Sequence, residues 1–155
     1  MPITDPKLSL YEQDFYLWIQ KTVELLQQGE LGQLDVENLI EEIDSMGKSQ
    51  RRELKTRLTV LIEHLLKLQY WTTEKEYNAR GWLNTIVEQR RQIAYILADS
   101  PSLKSVLNDI FLDCYQDARR DTLRKYPLPK MLFPQESPFS LLELLDPDFI
   151  PGKFE

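Results

Sequence analysis

Residues 54–68 read LKTRLTVLIEHLLKL, and the spacing of their leucines decides the fold class. Steps of four and three residues alternate between five of these leucines, which places the five on one face of an α-helix. Such a face is typical of a helix that packs along its length against neighbouring helices. The leucines of this face are Leu54, Leu58, Leu61, Leu65 and Leu68.

The chain before this stretch predicts two further helices. Apolar periodicity predicts the first over about residues 10–28, and Gly29 should stop it. Asp35 is a suitable N-cap for a second helix, and Gly47 should end that helix because glycine favours a left-handed C-terminal cap. The leucine-rich helix then occupies about residues 49–71.

The chain after it predicts two more helices. One starts at about Ala79 and carries apolar residues at helical spacing. Ser100 followed by Pro101 is a common helix start, because proline at the first helical position loses no hydrogen bond there. This last long helix should end by Tyr126, because Pro127 disfavours helix in the residue before it.

Prolines dominate the part of the chain that follows. Those between Tyr126 and Pro138 predict an extended segment that lies over the helices. Ser140 and Glu143 have the spacing of a capping box, which predicts a short helix over residues 141–145 and a tail after it.

Together these patterns predict an all-α fold. We expect an up-and-down bundle of four to five helices with an irregular, proline-rich C-terminal segment. Residues 1–155 should form a single helical domain with its core in about residues 9–126, while residues 127–155 supply the extended segment, the short helix and the tail.

The composition is that of an acidic globular protein. The chain has 155 residues and a net charge of −6, and its longest apolar run is Ile93 to Ala98, far short of the roughly 20 residues of a transmembrane helix. No membrane association is expected. The N-terminus lacks the basic start and apolar stretch of a secretory signal, and the lone Cys114 offers no disulfide framework, so we expect a cytoplasmic protein.

Charges of opposite sign lie on both sides of Gly47. An acidic ridge precedes it at helical spacing: Glu37, Glu41 and Asp44. A basic ridge follows it: Lys48, Arg51 and Lys55. A turn at Gly47 would set the two ridges side by side, where they would form ion pairs. Alternatively, the basic ridge is free to bind an acidic partner.

Polar residues also lie beside the apolar stripes. Arg57 and His64 flank the leucine face, and Gln89 and Arg90 lie on or beside the stripe of the next helix. Helical register should place the guanidinium groups of Arg57 and Arg90 at a similar height in the bundle, where buried charges need carboxylate partners. Glu41 and Glu42 are among the candidates for these partners. This polar seam is interpreted either as a structural salt-bridge network or as a small anion pocket, because arginine reads carboxylate and phosphate well.

Six short blocks of the chain resemble one family of bacterial proteins. The blocks are Tyr11 to Trp18, Asp35 to Gly47 (DVENLIEEIDSMG), Ser49 to Leu54 (SQRREL), His64 to Lys67 (HLLK), Gln89 to Ile93 (QRRQI) and Ser100 to Leu103 (SPSL). In their order and spacing they are similar to the family catalogued as domain of unknown function number twenty-nine, over about residues 10–146. The resemblance implies a small, all-helical, intracellular bacterial protein with no established activity. It also implies Cys-Pro-Tyr where this chain has Ser137, Pro138 and Phe139.

We therefore expect a non-enzymatic helical interaction or regulatory module. It would bind a partner protein or a small anion through the polar seam, without a cofactor or a resident metal. The candidate binding residues, several of which fall within the shared blocks, are Asn38, Glu41, Glu42, Arg51, Arg52, Arg57, His64, Gln89 and Arg90.

Two alternatives stay open. A metal-assisted hydrolase or nuclease would need four side chains to converge on a hard cation: Glu41, Glu42, Asp44 and His64. Nucleic-acid binding through the basic ridge in residues 48–57 is a third reading, which the net negative charge disfavours. No residue is assigned a catalytic role, and the sequence leaves the oligomeric state open.

Overall fold

The computed structural model describes residues 8–152. Within that range the secondary structure is entirely helical, and the expected all-α helical bundle is confirmed. The α-helices are α1 (Leu10–Gln13), α2 (Phe15–Gln28), α3 (Val36–Tyr70), α4 (Thr72–Asp99), α5 (Leu103–Lys125) and α6 (Leu141–Leu145), with a 3-10 turn at Leu31–Gln33. The chain divides into two compact units: the N-terminal unit ends at Lys48 and the C-terminal unit begins at Ser49.

The N-terminal unit begins with a helix that breaks at Asp14, where the sequence predicted a continuous one. The Asp14 backbone leaves the helical conformation and its carboxylate accepts the Leu17 N–H at 3.0 Å, so Asp14 caps α2. The break brings the Tyr11 ring to 4.9 Å from the Trp18 ring between centroids, and Trp18 is buried. As predicted, α2 stops at Gly29, which has a left-handed φ of 73°.

The predicted turn at Gly47 is wrong. Gly47 lies inside α3, a 35-residue helix, and does not have the positive φ of a C-terminal cap. A glycine in a helix interior costs only about 1 kcal/mol relative to alanine, which the helix-forming residues around it outweigh. Asp44 and Lys48 form an ion pair of 2.9 Å across this point at the i, i+4 spacing of a continuous helix. The acidic and basic ridges therefore follow one another along one helix and do not pair across a turn.

The core of the C-terminal unit forms around the leucine face of α3. All five leucines of that face are fully buried, as predicted. They pack in one cluster with Ile86 and Ile93 from α4 and Leu107 from α5. Helix α4 begins at Thr72, seven residues earlier than the sequence predicted, because its first turns carry no inward apolar residues that could have signalled a helix.

The proline-rich segment lies on this core, held by side chains of α5. Phe133 is fully buried. Arg119 donates to the carbonyls of Lys130 and Phe133, at 3.0 and 3.2 Å, and Tyr115 donates to the carbonyl of Pro134. An irregular segment has no backbone ladder, so these donors satisfy carbonyl groups that would otherwise be unpaired.

Helix α6 is anchored in a similar way. Its predicted capping box is present, with both hydrogen bonds between Ser140 and Glu143 formed. Arg90 of α4, only 7% exposed, donates from Nε to the Leu144 carbonyl at 2.8 Å and from Nη2 to the Glu143 carbonyl at 3.2 Å. The guanidinium therefore supplies a donor to the Leu144 carbonyl at the helix end and a second donor to the Glu143 carbonyl, which also accepts the Asp146 N–H.

Gly47→Ala should stabilise the protein by about 0.5–1 kcal/mol, because alanine is the better helix former and nothing obstructs its Cβ. Gly29→Ala is the matched control, and it should destabilise by about 1 kcal/mol because of the left-handed φ. Urea unfolding followed by circular dichroism measures both changes. A loss of stability in Gly47→Ala as large as that in Gly29→Ala would contradict a continuous α3.

Arg90→Met should reduce the free energy of unfolding by about 2 kcal/mol, because the buried Leu144 carbonyl loses its charged donor. Arg91→Met is the control: Arg91 is half-exposed and pairs with Glu88, so its loss should change stability by about 0.5 kcal/mol or less. The same unfolding measurement applies, and equal effects of the two substitutions would show that Arg90 does not anchor α6.

Candidate functional site

The predicted site residues fall in both units. Asn38, Glu41 and Glu42 belong to the N-terminal unit. The others belong to the C-terminal unit: Arg51, Arg52, Arg57, His64, Gln89 and Arg90.

In the N-terminal unit, two of the three predicted residues make local contacts. The Asn38 amide donates to the Asp35 carboxylate at 2.7 Å, where Asp35 caps α3. Glu42 accepts a hydrogen bond from the Tyr11 hydroxyl, and this bond is the main reason that the pKa of Tyr11 is raised to about 12. Glu41 is exposed on α3. Asn38 and Glu42 therefore serve the local structure of this unit.

In the C-terminal unit, three predicted residues meet in a groove between α3 and α4. Arg57 donates to Gln89 of α4 and to Glu53, both at 3.4 Å. Arg52 lines the same groove, and its guanidinium makes no hydrogen bond or ion pair within residues 8–152. The groove is open to solvent and has a volume of about 440 Å³, and Ser49 and Thr56 also line it. We call it the arginine groove.

His64 and Arg90 do not line the arginine groove. The His64 ring contacts the Val60 carbonyl through Nδ1 at 2.8 Å, and burial lowers its pKa, which favours the neutral ring. Arg90 is occupied with α6, and burial lowers its pKa as well. Its Nη1 is buried without a hydrogen-bond partner in the described part of the chain. Both residues act within the packing of the bundle.

The basic ridge is partly neutralised. Lys48 pairs with Asp44 at 2.9 Å, and Lys55 lies 3.8 Å from Asp117 of α5. Arg51 is exposed, and no ion pair forms on it in the described residues. The ridge is therefore less cationic than its sequence suggests.

The metal centre of the hydrolase alternative has no counterpart in the described ranges. Residues 8–152 contain no group of three or more histidine, cysteine, aspartate or glutamate side chains arranged to hold a metal ion. Burial raises the pKa of the Cys114 thiol, which lies in the core as the sequence predicted.

Sequence reasoning missed two buried charges on α3. Glu63 and Lys67 are each only 5% exposed. Lys125 pairs with Glu63 at 3.0 Å, while the Lys67 ammonium lies over the rings of Trp82 and Tyr126, 5.8 and 5.1 Å from their centroids. Their i, i+4 spacing was visible in the sequence, but their burial depends on residues distant in the chain, which are Lys125 for Glu63 and the rings of Trp82 and Tyr126 for Lys67.

The N-terminal unit leaves large apolar side chains uncovered. Two stripes at helical spacing are between 37% and 67% exposed: Phe15, Ile19, Val23 and Leu26 on α2, and Val36, Ile40, Ile43 and Met46 on α3. We call them together the N-terminal apolar surface. Their periodicity predicted the helices, but it did not reveal that the stripes would lack a cover. Soluble monomers expose large apolar patches mainly where they bind something.

Within the described residues, no helix is long and apolar enough to cross a bilayer. Comparison with curated proteins and with solved structures gave no significant match. A family model does match, over residues 10–150, in agreement with the resemblance found in the sequence blocks. The chain therefore belongs to the family described as Domain of unknown function DUF29.

Proposed function

We propose that this protein is a non-enzymatic helical interaction module that binds a partner protein through the N-terminal apolar surface. The observation that supports it is the exposure of that surface, from 37% at Ile19 to 67% at Met46. The core of the C-terminal unit, in contrast, covers its own apolar stripes. We further propose that the module acts in the bacterial cytoplasm, as its family resemblance and single reduced cysteine suggest.

The free energy available from covering the N-terminal apolar surface limits how tight a complex it can form. Covering a half-exposed apolar side chain contributes roughly 1 kcal/mol, so the eight side chains together contribute about 8 kcal/mol. Association costs an estimated 4–15 kcal/mol in lost freedom of motion. Apolar burial alone would therefore give a weak complex, and a partner must also make polar contacts.

Replacing Ile40 with photoreactive p-benzoylphenylalanine should give a discrete cross-link to another protein in living cells, because Ile40 is 62% exposed in the middle of the α3 stripe. Leu112 on α5 is the matched control: it is 66% exposed and should give no such adduct. Denaturing gels and mass spectrometry compare the two positions.

The cross-link should disappear when Val36→Ser and Ile43→Ser accompany the photoreactive residue, since these neighbours form the same stripe. Identical adducts from positions 40 and 112 would contradict docking on the N-terminal apolar surface.

The arginine groove supports a second candidate function, the binding of a small anion. Its specific support is that Arg52, which has no partner among residues 8–152, lines the same groove as Arg57, whose two contacts of 3.4 Å are long for charged hydrogen bonds. A phosphate or carboxylate in the groove would offer Arg57 a planar anionic acceptor that its present contacts do not supply.

Inorganic phosphate should raise the melting temperature of the protein at millimolar concentration, and the double variant Arg52→Gln, Arg57→Gln should lose this effect. Arg80→Gln is the control, since Arg80 is exposed on α4 and does not line the groove. The same increase in all three proteins would mean that phosphate acts without the arginine groove.

A further inference from the structure

Charge is distributed very unevenly along the chain. Residues 8–48, the described part of the N-terminal unit, carry nine carboxylates and two lysines, a net charge of −7. The whole chain carries −6. All of the net negative charge therefore belongs to the unit that exposes the N-terminal apolar surface, and the remaining residues together carry a charge of +1.

Three of these acids border the apolar stripe of α3. At 100° per residue, Glu37, Glu41 and Asp44 lie 80–140° around the helix from Val36, next to the side chains of Ile40 and Ile43. All three acids are exposed. Asp44 forms an ion pair with Lys48, whereas Glu37 and Glu41 form no ion pair within the described ranges. The stripe thus has an acidic border along one side with two uncompensated carboxylates.

We infer that the occupant of the N-terminal apolar surface is a cationic amphipathic helix of a partner protein. This inference rests on the proposed function and specifies the class of partner. From Val36 to Met46 the stripe is straight and about 15 Å long, which suits the apolar ridge of a second helix packed along it. Lysine or arginine beside that ridge would reach Glu37 and Glu41 and supply the polar contacts that apolar burial alone lacks.

Charge also argues against other occupants. A second copy of the chain would bring one unit of charge −7 against another, so like charges would border the shared stripe. An anionic membrane surface or a nucleic acid would be repelled in the same way. A cationic helix is the occupant for which both the apolar side chains and the acidic border are favourable.

Two labelled peptides of about 18 residues test the inference on the full chain by fluorescence anisotropy. Both carry leucine at the same i, i+3, i+4, i+7 positions, with lysine and arginine elsewhere in one peptide and glutamate in the other. The cationic peptide should bind and the acidic peptide should not. Affinity should fall as salt rises, because the ion pairs are exposed.

Three variants locate the binding. Glu37→Gln with Glu41→Gln should lower the affinity for the cationic peptide about 3- to 10-fold at low salt, the effect expected for the loss of two exposed ion pairs. Glu76→Gln with Asp109→Asn, which removes two exposed acids from the C-terminal unit, should leave the affinity unchanged. Ile40→Ser with Ile43→Ser should abolish binding, while circular dichroism checks that the helices persist.

The outcomes separate the inference from the proposed function. If both peptides bind equally and Ile40→Ser with Ile43→Ser abolishes both, the surface docks helices but the cationic class is wrong. If that apolar variant binds either peptide as the wild type does, the N-terminal apolar surface is not a docking site and both proposals fail. A dimer in sedimentation that the apolar variant dissociates, or binding to anionic vesicles, would overturn the cationic helix in favour of a second copy or a membrane.

Discussion

Burial of the leucine face of α3 is the interaction on which the C-terminal unit depends. From Leu54 to Leu68 that face is sealed by α4, by α5 and by the aromatic residues of the C-terminal segment. The helices that seal it also create the arginine groove, since Arg57 and Gln89 are brought together by the packing of α3 against α4. Even the two buried charges, Glu63 and Lys67, lie on this helix and are stabilised by residues packed over it. The packing of apolar side chains thus determines where the polar side chains of this unit lie.

The same helix carries a second apolar stripe with a different outcome. Val36, Ile40 and Ile43 repeat at the spacing that buries Leu54, Leu58 and Leu61, yet they are more than half exposed. Periodicity reports which side of a helix is apolar, but it carries no information on whether the same chain covers that side. This difference is why function is proposed at the N-terminal unit, whereas the sequence pointed to a polar seam.

Features with a local cause could be predicted from the sequence. The capping box at Ser140 and the left-handed Gly29 depend on a few neighbouring residues, and both are as expected. Gly47 was misread because glycine ends some helices and is tolerated within others, and the difference depends on the helix around it. Of the candidate site, the approach of Arg57 to Gln89 could be anticipated from helical register. The role of Arg90 could not, because its acceptors are backbone carbonyls of a helix end, which leave no trace in the order of side chains.

Arg90 and Arg119 both hold the C-terminal segment by main-chain oxygen atoms. Every amino acid carries the same backbone carbonyl. The hydrogen bonds of Arg90 and Arg119 therefore tolerate a change of residue at the positions whose carbonyls they bind, provided that the backbone conformation there is kept. Between the two anchors, the Ser137 hydroxyl bonds to the backbone of Phe139, and the Phe139 ring is buried. Substitutions can therefore change the side chains of the C-terminal segment while its attachment to the bundle stays intact.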